Sequence, residues 1–200
     1  MTQTLASGLV FAAAIFAGYA IGAVNPAAII ARVRGIDLRS VGSGNPGATN
    51  VGRAMGPRWA VLVGFLDILK GFVPAVAFAY LFGQTAGEVA GLAAVVGHIT
   101  SPYLHGRGGK GVATTLGALL GVLPWMAVPV LVGFAVGVAI WRRVGLGAVL
   151  GAAVLGVAGL AGWVLGLLDA QDAVFCVLLS ALVLLRHRRN VVGAWKELSD

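Results

Sequence analysis

Residues 112–141, VATTLGALLGVLPWMAVPVLVGFAVGVAIW, carry no charged side chain and are closed by Arg142 and Arg143. As a single helix the run would extend about 45 Å at 1.5 Å per residue, which is long for a hydrocarbon core of about 30 Å. As two helices it would be short and would need help from the ends of the preceding stretch, 97–111. Pro124 and Pro129 lie inside it, and a ring without an N–H disturbs a continuous helix. The flanking charges choose between the two readings. Arg107 and Lys110 precede the run and Arg142 and Arg143 follow it. Two crossings return both clusters to one side, as the cytoplasmic bias of Lys and Arg requires.

The rest of the chain reads the same way. It is 59% hydrophobic and 10% charged, with a mean hydropathy of +0.95, whereas an average soluble domain carries about 25% charge. Helices satisfy their own backbone hydrogen bonds in lipid, so a helical bundle is the expected solution. Spans are expected at 5–31, 59–82, 88–98, twice within 112–141, at 144–168 and at 173–185, with Pro26 kinking the first or ending it near Asn25. Gly83–Gly87 is expected as a short turn, and Asp169 and Asp172 mark another. With seven crossings, 32–58, 104–110, 142–143 and 186–200 share one side, which then holds, within it or at its edge, thirteen of the 14 Lys and Arg residues, all but Lys70. Glu88, Asp169 and Asp172 face the other side. The expectation is an all-α integral membrane protein, one domain over 1–200, with seven transmembrane helices, the N-terminus periplasmic or outside and the C-terminus cytoplasmic. No basic region precedes the first apolar stretch, so it reads as a retained span and not as a cleaved signal.

Several function classes drop out. The net charge of +7 sits in short clusters between apolar runs, a topology pattern and not a nucleic-acid surface. Cys176 is the one cysteine, which excludes an intramolecular disulfide and offers no cysteine metal site. Among the 31 glycines, Gly117 with Gly121 and Gly133 with Gly137 fit close helix packing, although small residues are common in membrane helices generally. Asp67 and Lys70 lie three apart within the second span and can pair on one helical face; charges at such depth are costly and face a polar interior. A structural ion pair is the leading reading and support of a site the other.

Three polar stretches interrupt the apolar chain: 37–53, 97–111 and 186–197. Residues 43–53, Ser-Gly-Asn-Pro-Gly-Ala-Thr-Asn-Val-Gly-Arg, combine three glycines, two hydroxyls, two carboxamides and a guanidinium. Glycines let backbone N–H groups approach an anion, while Ser43, Asn45, Thr49 and Asn50 add hydrogen bonds. Arg53 offers a planar fork suited to phosphate or carboxylate. Pro46 should keep Asn45 extended and the loop preformed. The topology gathers all three stretches at the inner face, with Arg53, Arg107, Lys110, Arg186 and Arg188 as cations and few carboxylates. That balance favours anionic substrates and argues against hydrolytic metal chemistry; no metal and no other cofactor is expected. Gly-Arg-Gly-Gly-Lys-Gly, residues 106–111, lacks the Gly-x4-Gly-Lys-Ser/Thr form of a nucleotide loop. There is no Gly-x-Ser-x-Gly elbow. His98 and His105, seven apart, make no compelling metal pair.

Read together, the stretches resemble the bacterial acyl-phosphate:glycerol-3-phosphate acyltransferases, the PlsY family. The matches are Gly35-Ile-Asp-Leu-Arg39 through Val41–Arg53, Gly97-His98 followed by Arg107-Gly-Gly-Lys-Gly-Val-Ala-Thr114, and His187-Arg-Arg-Asn190-Val, with Leu66-Asp-Ile-Leu-Lys-Gly71 as a further similarity. The resemblance covers nearly the whole chain. It implies transfer of a fatty acyl group from acyl phosphate to the 1-hydroxyl of glycerol 3-phosphate, giving lysophosphatidic acid and phosphate at the cytoplasmic face of the inner membrane. The implied partners are those two substrates and membrane lipid; no nucleic acid is involved, and the chain is expected as a monomer.

By motif position, Ser43, Lys110 and His187 are the expected catalytic residues, and Asn45, Gly47, Thr49, Asn50, Arg53, His98, Gly108, Gly109 and Asn190 the expected substrate-binding ones. Ser43, Arg53 and Lys110 would contact phosphate, while His187 and Asn190 would orient glycerol phosphate. The N–H groups of Gly44, Gly47, Gly108 and Gly109 would form an anion nest. Acyl phosphate is already activated, so direct attack needs positioning, oxyanion stabilisation and removal of one proton. His187 or a substrate phosphate oxygen is the base; no nearby Asp is in place to orient the His. As alternatives, Lys110 and Arg107 would be topology charges only, His187 a solvated tail residue and His98 a structural pin. Arg107, Gly193 and Glu197 depart from the family pattern. A transporter of a phosphorylated metabolite is the competing function, disfavoured by the lack of an internal repeat.

Overall fold

In the computed structural model the backbone is described for residues 2–199 and the side chains for 4–192; the departures at Gly193 and Glu197 lie outside the residues whose side chains are described. Among the described residues all regular structure is helical. The chain forms two compact units, Met1–Val122 and Leu123–Asp200.

The first unit contains α1 (Thr2–Ala23), α2 (Pro26–Val33), α3 (Ala48–Met55), α4 (Pro57–Phe82), α5 (Gln84–Thr100) and α6 (Val112–Val122). The expected first span ends at Asn25 and is not merely kinked. Asn25 is extended at φ −116° and its Oδ1 accepts a hydrogen bond from the Ala28 N–H at 2.8 Å, while Pro26 opens α2 where no N–H is needed. The turn expected at Gly83–Gly87 shrinks to a single residue: Gly83 adopts φ +92°, and α5 begins at Gln84. α3 was not anticipated inside the polar connection. Its Val51 is buried with Ala27, Ala31, Leu38 and Val63, so the first polar stretch rests on a small apolar core shared by α2, α3 and α4.

α5 packs against α1 and α4, and α6 against α4. The approaches are backbone to backbone. A Cβ added at Gly71 would stand 2.1 Å from the Thr114 carbonyl oxygen, and one at Gly117 would stand 2.0 Å from that of Ile68. Gly121 meets Ala75 in the same interface. Close packing, not mere abundance, therefore accounts for this pair.

The second unit contains α7 (Ala127–Trp141), α8 (Val144–Val164) and α9 (Ala170–Ser199). The run 112–141 is thus two helices, divided at Leu123 and the turn Pro124–Met126. Pro129 falls in the first turn of α7, where its missing N–H costs nothing. Gly133 and Gly137 pack against Val154 and Gly147 of α8. The Ser180 hydroxyl donates to the Ala152 carbonyl at 2.6 Å, pinning α9 to α8. The expected polar tail continues as helix from the last apolar run without a break.

Five segments among the described residues are long and apolar enough to cross a membrane: 4–33, which joins α1 and α2 across the break at Asn25, and 57–82, 124–141, 144–164 and 170–192. α5, with 17 residues, and α6, with 11, are shorter. Large apolar side chains stand exposed along the long helices, Phe16, Val61, Tyr80 and Val164 among them. Such belts are rare on water-soluble monomers and suit lipid contact.

Candidate functional site

The loop between α2 and α3 is held from inside. Asn50, on the first turn of α3, is 1% exposed. Its Oδ1 accepts from the Ser43 N–H at 3.1 Å, and its Nδ2 donates to the Leu38 carbonyl at 3.0 Å. Both ends of the carboxamide are thereby engaged in closing the loop. Asn25 Nδ2 reaches the Pro46 carbonyl at 3.1 Å, so the break between α1 and α2 also anchors the loop centre. Gly42 and Gly44 adopt φ +51° and +64°, a region that side chains with a Cβ rarely enter. A Cβ at Gly42 would lie 3.2 Å from Arg53 Cδ and 2.7 Å from Asn50 Oδ1, so the glycine also makes room for Arg53 to cross the loop.

What this packing leaves outside is chemically specific. Ser43, Thr49 and Arg53 are exposed, and Asn45 lies half-buried over Gly47. Gly47 caps α3 with no side-chain hydrogen bond. The positive end of the α3 dipole lies at Gly47 and Thr49.

The second polar stretch folds back over the end of α5. The Gly108 N–H bonds to the Ile99 carbonyl at 3.0 Å and the Gly109 N–H to the His98 carbonyl at 3.1 Å. Ser101, fully buried, donates to the Ala23 carbonyl at 2.6 Å. Arg39 joins the two stretches. Its Nη1 donates to the Gly44 carbonyl at 3.0 Å, and its Nη2 donates to the Arg107 carbonyl. The wall bearing Ser43 and Arg53 is thus tied to the segment bearing half-buried Lys110.

The expected anion nest is corrected by these bonds. The Gly44 N–H bonds to the Val41 carbonyl and that of Gly47 to the Asn45 carbonyl, so all four glycine N–H groups already have backbone acceptors. Gly108 and Gly109 are needed for close approach instead. A Cβ at the first would meet the His98 carbonyl oxygen at 1.9 Å, and one at the second would meet His98 Nε2 at 2.1 Å. His98 itself is buried, with Nδ1 3.5 Å from Asp67 Oδ1. Asp67 pairs with Lys70 at 3.0 Å, the expected ion pair.

In the second unit, His187 and Asn190 stand three apart on α9. His187 is 2% exposed, which removes the reading of a solvated tail residue. Its Nδ1 lies 2.8 Å from the Val183 carbonyl. A carbonyl can only accept, so Nδ1 carries the proton and Nε2 is the basic position of the neutral ring. The orienting group is a backbone oxygen, in keeping with the lack of a nearby Asp in the sequence. Asn190 packs its amide against Gly145 at the start of α8.

A cavity of about 730 Å³ opens beside the first wall, between α2, the 35–39 turn and the turn at Tyr103 and Leu104. Asn25, Arg32, Asp37 and Arg39 give it polar groups, and it reaches the loop at Pro46 and not at Ser43 or Arg53.

A family model for glycerol-3-phosphate acyltransferase matches residues 12–197. The chain belongs to this glycerol-3-phosphate acyltransferase family. The acyltransferase of Aquifex aeolicus is 40% identical over 183 residues, 88% of this chain and 91% of that one. Glycerol-3-phosphate acyltransferase 1 of Deinococcus radiodurans is 41% identical over 180 residues, 89% and 88% of the two chains. The crystal structure of PlsY, an integral membrane glycerol 3-phosphate acyltransferase, in its glycerol 3-phosphate form superposes with a TM-score of 0.86 at 35% identity, covering 94% of this chain and 92% of that one. Its lysophosphatidic acid form gives 0.82 at 33%. As a member of the acyltransferase family the chain is an integral membrane protein.

Sequence reasoning passed over Asn25, Arg39 and Ser101. Each is a polar residue whose partner is a backbone carbonyl 5 to 78 positions away. Only the tertiary fold reveals such partners, although Arg39 stood within a quoted motif.

Proposed function

We propose that this acyltransferase joins a fatty acyl group from acyl phosphate to the sn-1 hydroxyl of glycerol 3-phosphate. The products are lysophosphatidic acid and phosphate, the first step of phospholipid synthesis. The observation that carries the reading is the Arg39 bridge, which ties the Ser43–Arg53 wall to the Gly-Gly-Lys segment. Both substrates carry phosphate, and the exposed hydroxyls and guanidinium of the first wall, with the Lys110 ammonium, suit two such groups.

The glycerol hydroxyl oxygen attacks the acyl carbonyl carbon. A C–O ester bond forms, the bond from that carbon to the phosphate oxygen breaks, and phosphate leaves with its electron pair. Arg53 and Lys110 neutralise charge on the phosphates, and Ser43 and Thr49 hydrogen-bond to them. His187 takes the hydroxyl proton at Nε2; the Nδ1 contact to Val183 supports this tautomer. A substrate phosphate oxygen is the competing base. Asn190, three residues on, orients the glycerol phosphate. Asn50 and His98 act on the loops and not on the substrate, because Asn50 is engaged at both ends of its carboxamide and His98 faces Asp67 and Gly109.

The chain works as one multi-pass domain in the bacterial inner membrane. Seven crossings are proposed, the N-terminus outside and the C-terminus cytoplasmic, so that 32–58, 97–111 and 186–200 share the cytoplasmic face. α5 and α6 are then the two short crossings. The protein acts as a monomer.

The test is purified protein in lipid, supplied with acyl phosphate and glycerol 3-phosphate. Phosphate release should require both substrates and should vanish in Lys110→Ala with folding retained. Flux of a phosphorylated metabolite across sealed vesicles without acyl transfer would refute the enzyme reading.

A further inference from the structure

The buried group Asp67–Lys70–His98 lies outside the proposed chemistry, yet His98 packs against the Gly-Gly-Lys segment and Lys70 holds Val24, next to the Asn25 that anchors the Ser43–Arg53 wall. The three residues are 3%, 7% and 4% exposed. Two of them form an ion pair inside a helix that is apolar enough to cross a membrane. Removing such charges from water is costly, and an apolar pair would serve packing as well. Their placement explains what they accomplish.

Lys70 Nζ donates to the Val24 carbonyl at 2.8 Å. In a continuous helix that carbonyl would accept from Ala28, but the Ala28 N–H bonds to Asn25 Oδ1 instead. Lys70 therefore satisfies an oxygen orphaned by the break between α1 and α2. The next residue is Asn25, whose Nδ2 holds Pro46 in the first wall. On its other side Asp67 Oδ1 faces His98 Nδ1 at 3.5 Å. The Nε2 edge of that ring occupies the space a Gly109 Cβ would need, and the His98 carbonyl accepts the Gly109 N–H. Lys110 follows directly.

We propose that Asp67, Lys70 and His98 are positioning residues that fix the Gly-Gly-Lys segment against the Ser43–Arg53 wall, with the His98 ring acting on Lys110 through Gly109. The proposal rests on the reading of Lys110 as a phosphate ligand. His98 then affects catalysis only by way of Lys110, and the two should fail to act independently. A misplacement near 1 Å costs roughly 100-fold in rate, so a loss on the order of 10- to 100-fold is expected from disturbing the ring.

The experiment is a double-mutant cycle on the purified full chain in lipid. His98→Asn keeps a donor near the Nδ1 position, facing Asp67, and deletes the ring edge against Gly109. It is crossed with Lys110→Ala, and kcat and KM are measured for both substrates. Binding of inorganic phosphate by calorimetry gives the same cycle where turnover is too slow to read. The expected result is a loss of 10- to 100-fold in His98→Asn that shrinks to less than about threefold in the Lys110→Ala background. Gly109→Ala should show the same dependence on Lys110, and it carries the cycle if His98→Asn does not elute as folded protein. Losses that multiply would overturn the proposal, since they mean direct substrate contact or general destabilisation. A His98→Asn enzyme within twofold of wild type would overturn it too. Wild-type protein that binds phosphate but transfers no acyl group would refute the functional reading alone, because the phosphate cycle still reports on the network.

Discussion

Truncating Asn50 to alanine separates a residue that shapes the site from one that binds substrate. The side chain bridges the Ser43 N–H and the Leu38 carbonyl at 3.1 and 3.0 Å. Leu38 is 5% exposed, so its carbonyl would lose its partner largely without water to replace it, at a cost of roughly 1–3 kcal/mol. Ser43 is exposed and its N–H can turn to solvent, leaving only the net value of that bond, about 0.5–1.5 kcal/mol. The sum is about 1.5–4.5 kcal/mol, concentrated in the segment 38–50. The Asn25 and Arg39 anchors remain, so the loop should open locally while the unit stays folded. With about 1.4 kcal/mol per factor of ten, the closed loop loses some 10- to 1,000-fold in population relative to open forms. Hydrogen exchange of the substrate-free protein should therefore quicken across 38–50, and kcat/KM should fall by about a hundredfold. Lost activity with unchanged exchange in the substrate-free protein would show that Asn50 is a substrate ligand, and the argument from its two occupied ends would be wrong.

Four further outcomes follow from the same geometry. Gly42→Ala should open the same loop, since φ +51° and a Cβ 2.7 Å from Asn50 Oδ1 together cost more than the 1–2 kcal/mol typical of the left-handed region alone; exchange across 38–50 reads it. Arg39→Lys replaces a fork that reaches two carbonyls with a point charge that holds one at a time, and kcat/KM should fall about tenfold while the fold, followed by thermal unfolding, persists. Ser101→Ala strands the Ala23 carbonyl at the end of α1 and should lower stability by about 1–3 kcal/mol. In His187→Ala, the limb of the pH–rate profile near neutrality should disappear; a limb that persists would assign the base to substrate phosphate.

The fold was legible where hydropathy and charge acted over long runs. The run 112–141, too long for one comfortable crossing, is two helices, and Asp67 with Lys70 paired as their spacing allowed. Shorter features were not. α3 is eight residues long, and its amphipathic face, with Val51 inward and Arg53 outward, is diluted in sequence by glycine and threonine. The tail of α9 reads as polar, yet helix geometry carries on from the apolar run and buries His187.

The site shows why residue type alone could not sort ligands from supports. Asn50, Asn25 and Ser101 have the same hydrogen-bonding groups as Asn45, Thr49 and Ser43, so residue type does not separate them. The difference lies in the backbone oxygens freed by irregular chain. At Ala23, Val24, Leu38 and Pro46 a carbonyl has no helical partner and a buried side chain supplies one. A protein that brings bends and glycine turns to the edge of an apolar bundle must satisfy those oxygens, because an unmet buried carbonyl costs as much as a binding contact yields. Most of the polar residues near the first loop are therefore committed to holding it. Ser43, Thr49 and Arg53, left exposed on a frame that others keep closed, are the ones able to meet an anion without first breaking a bond within that frame.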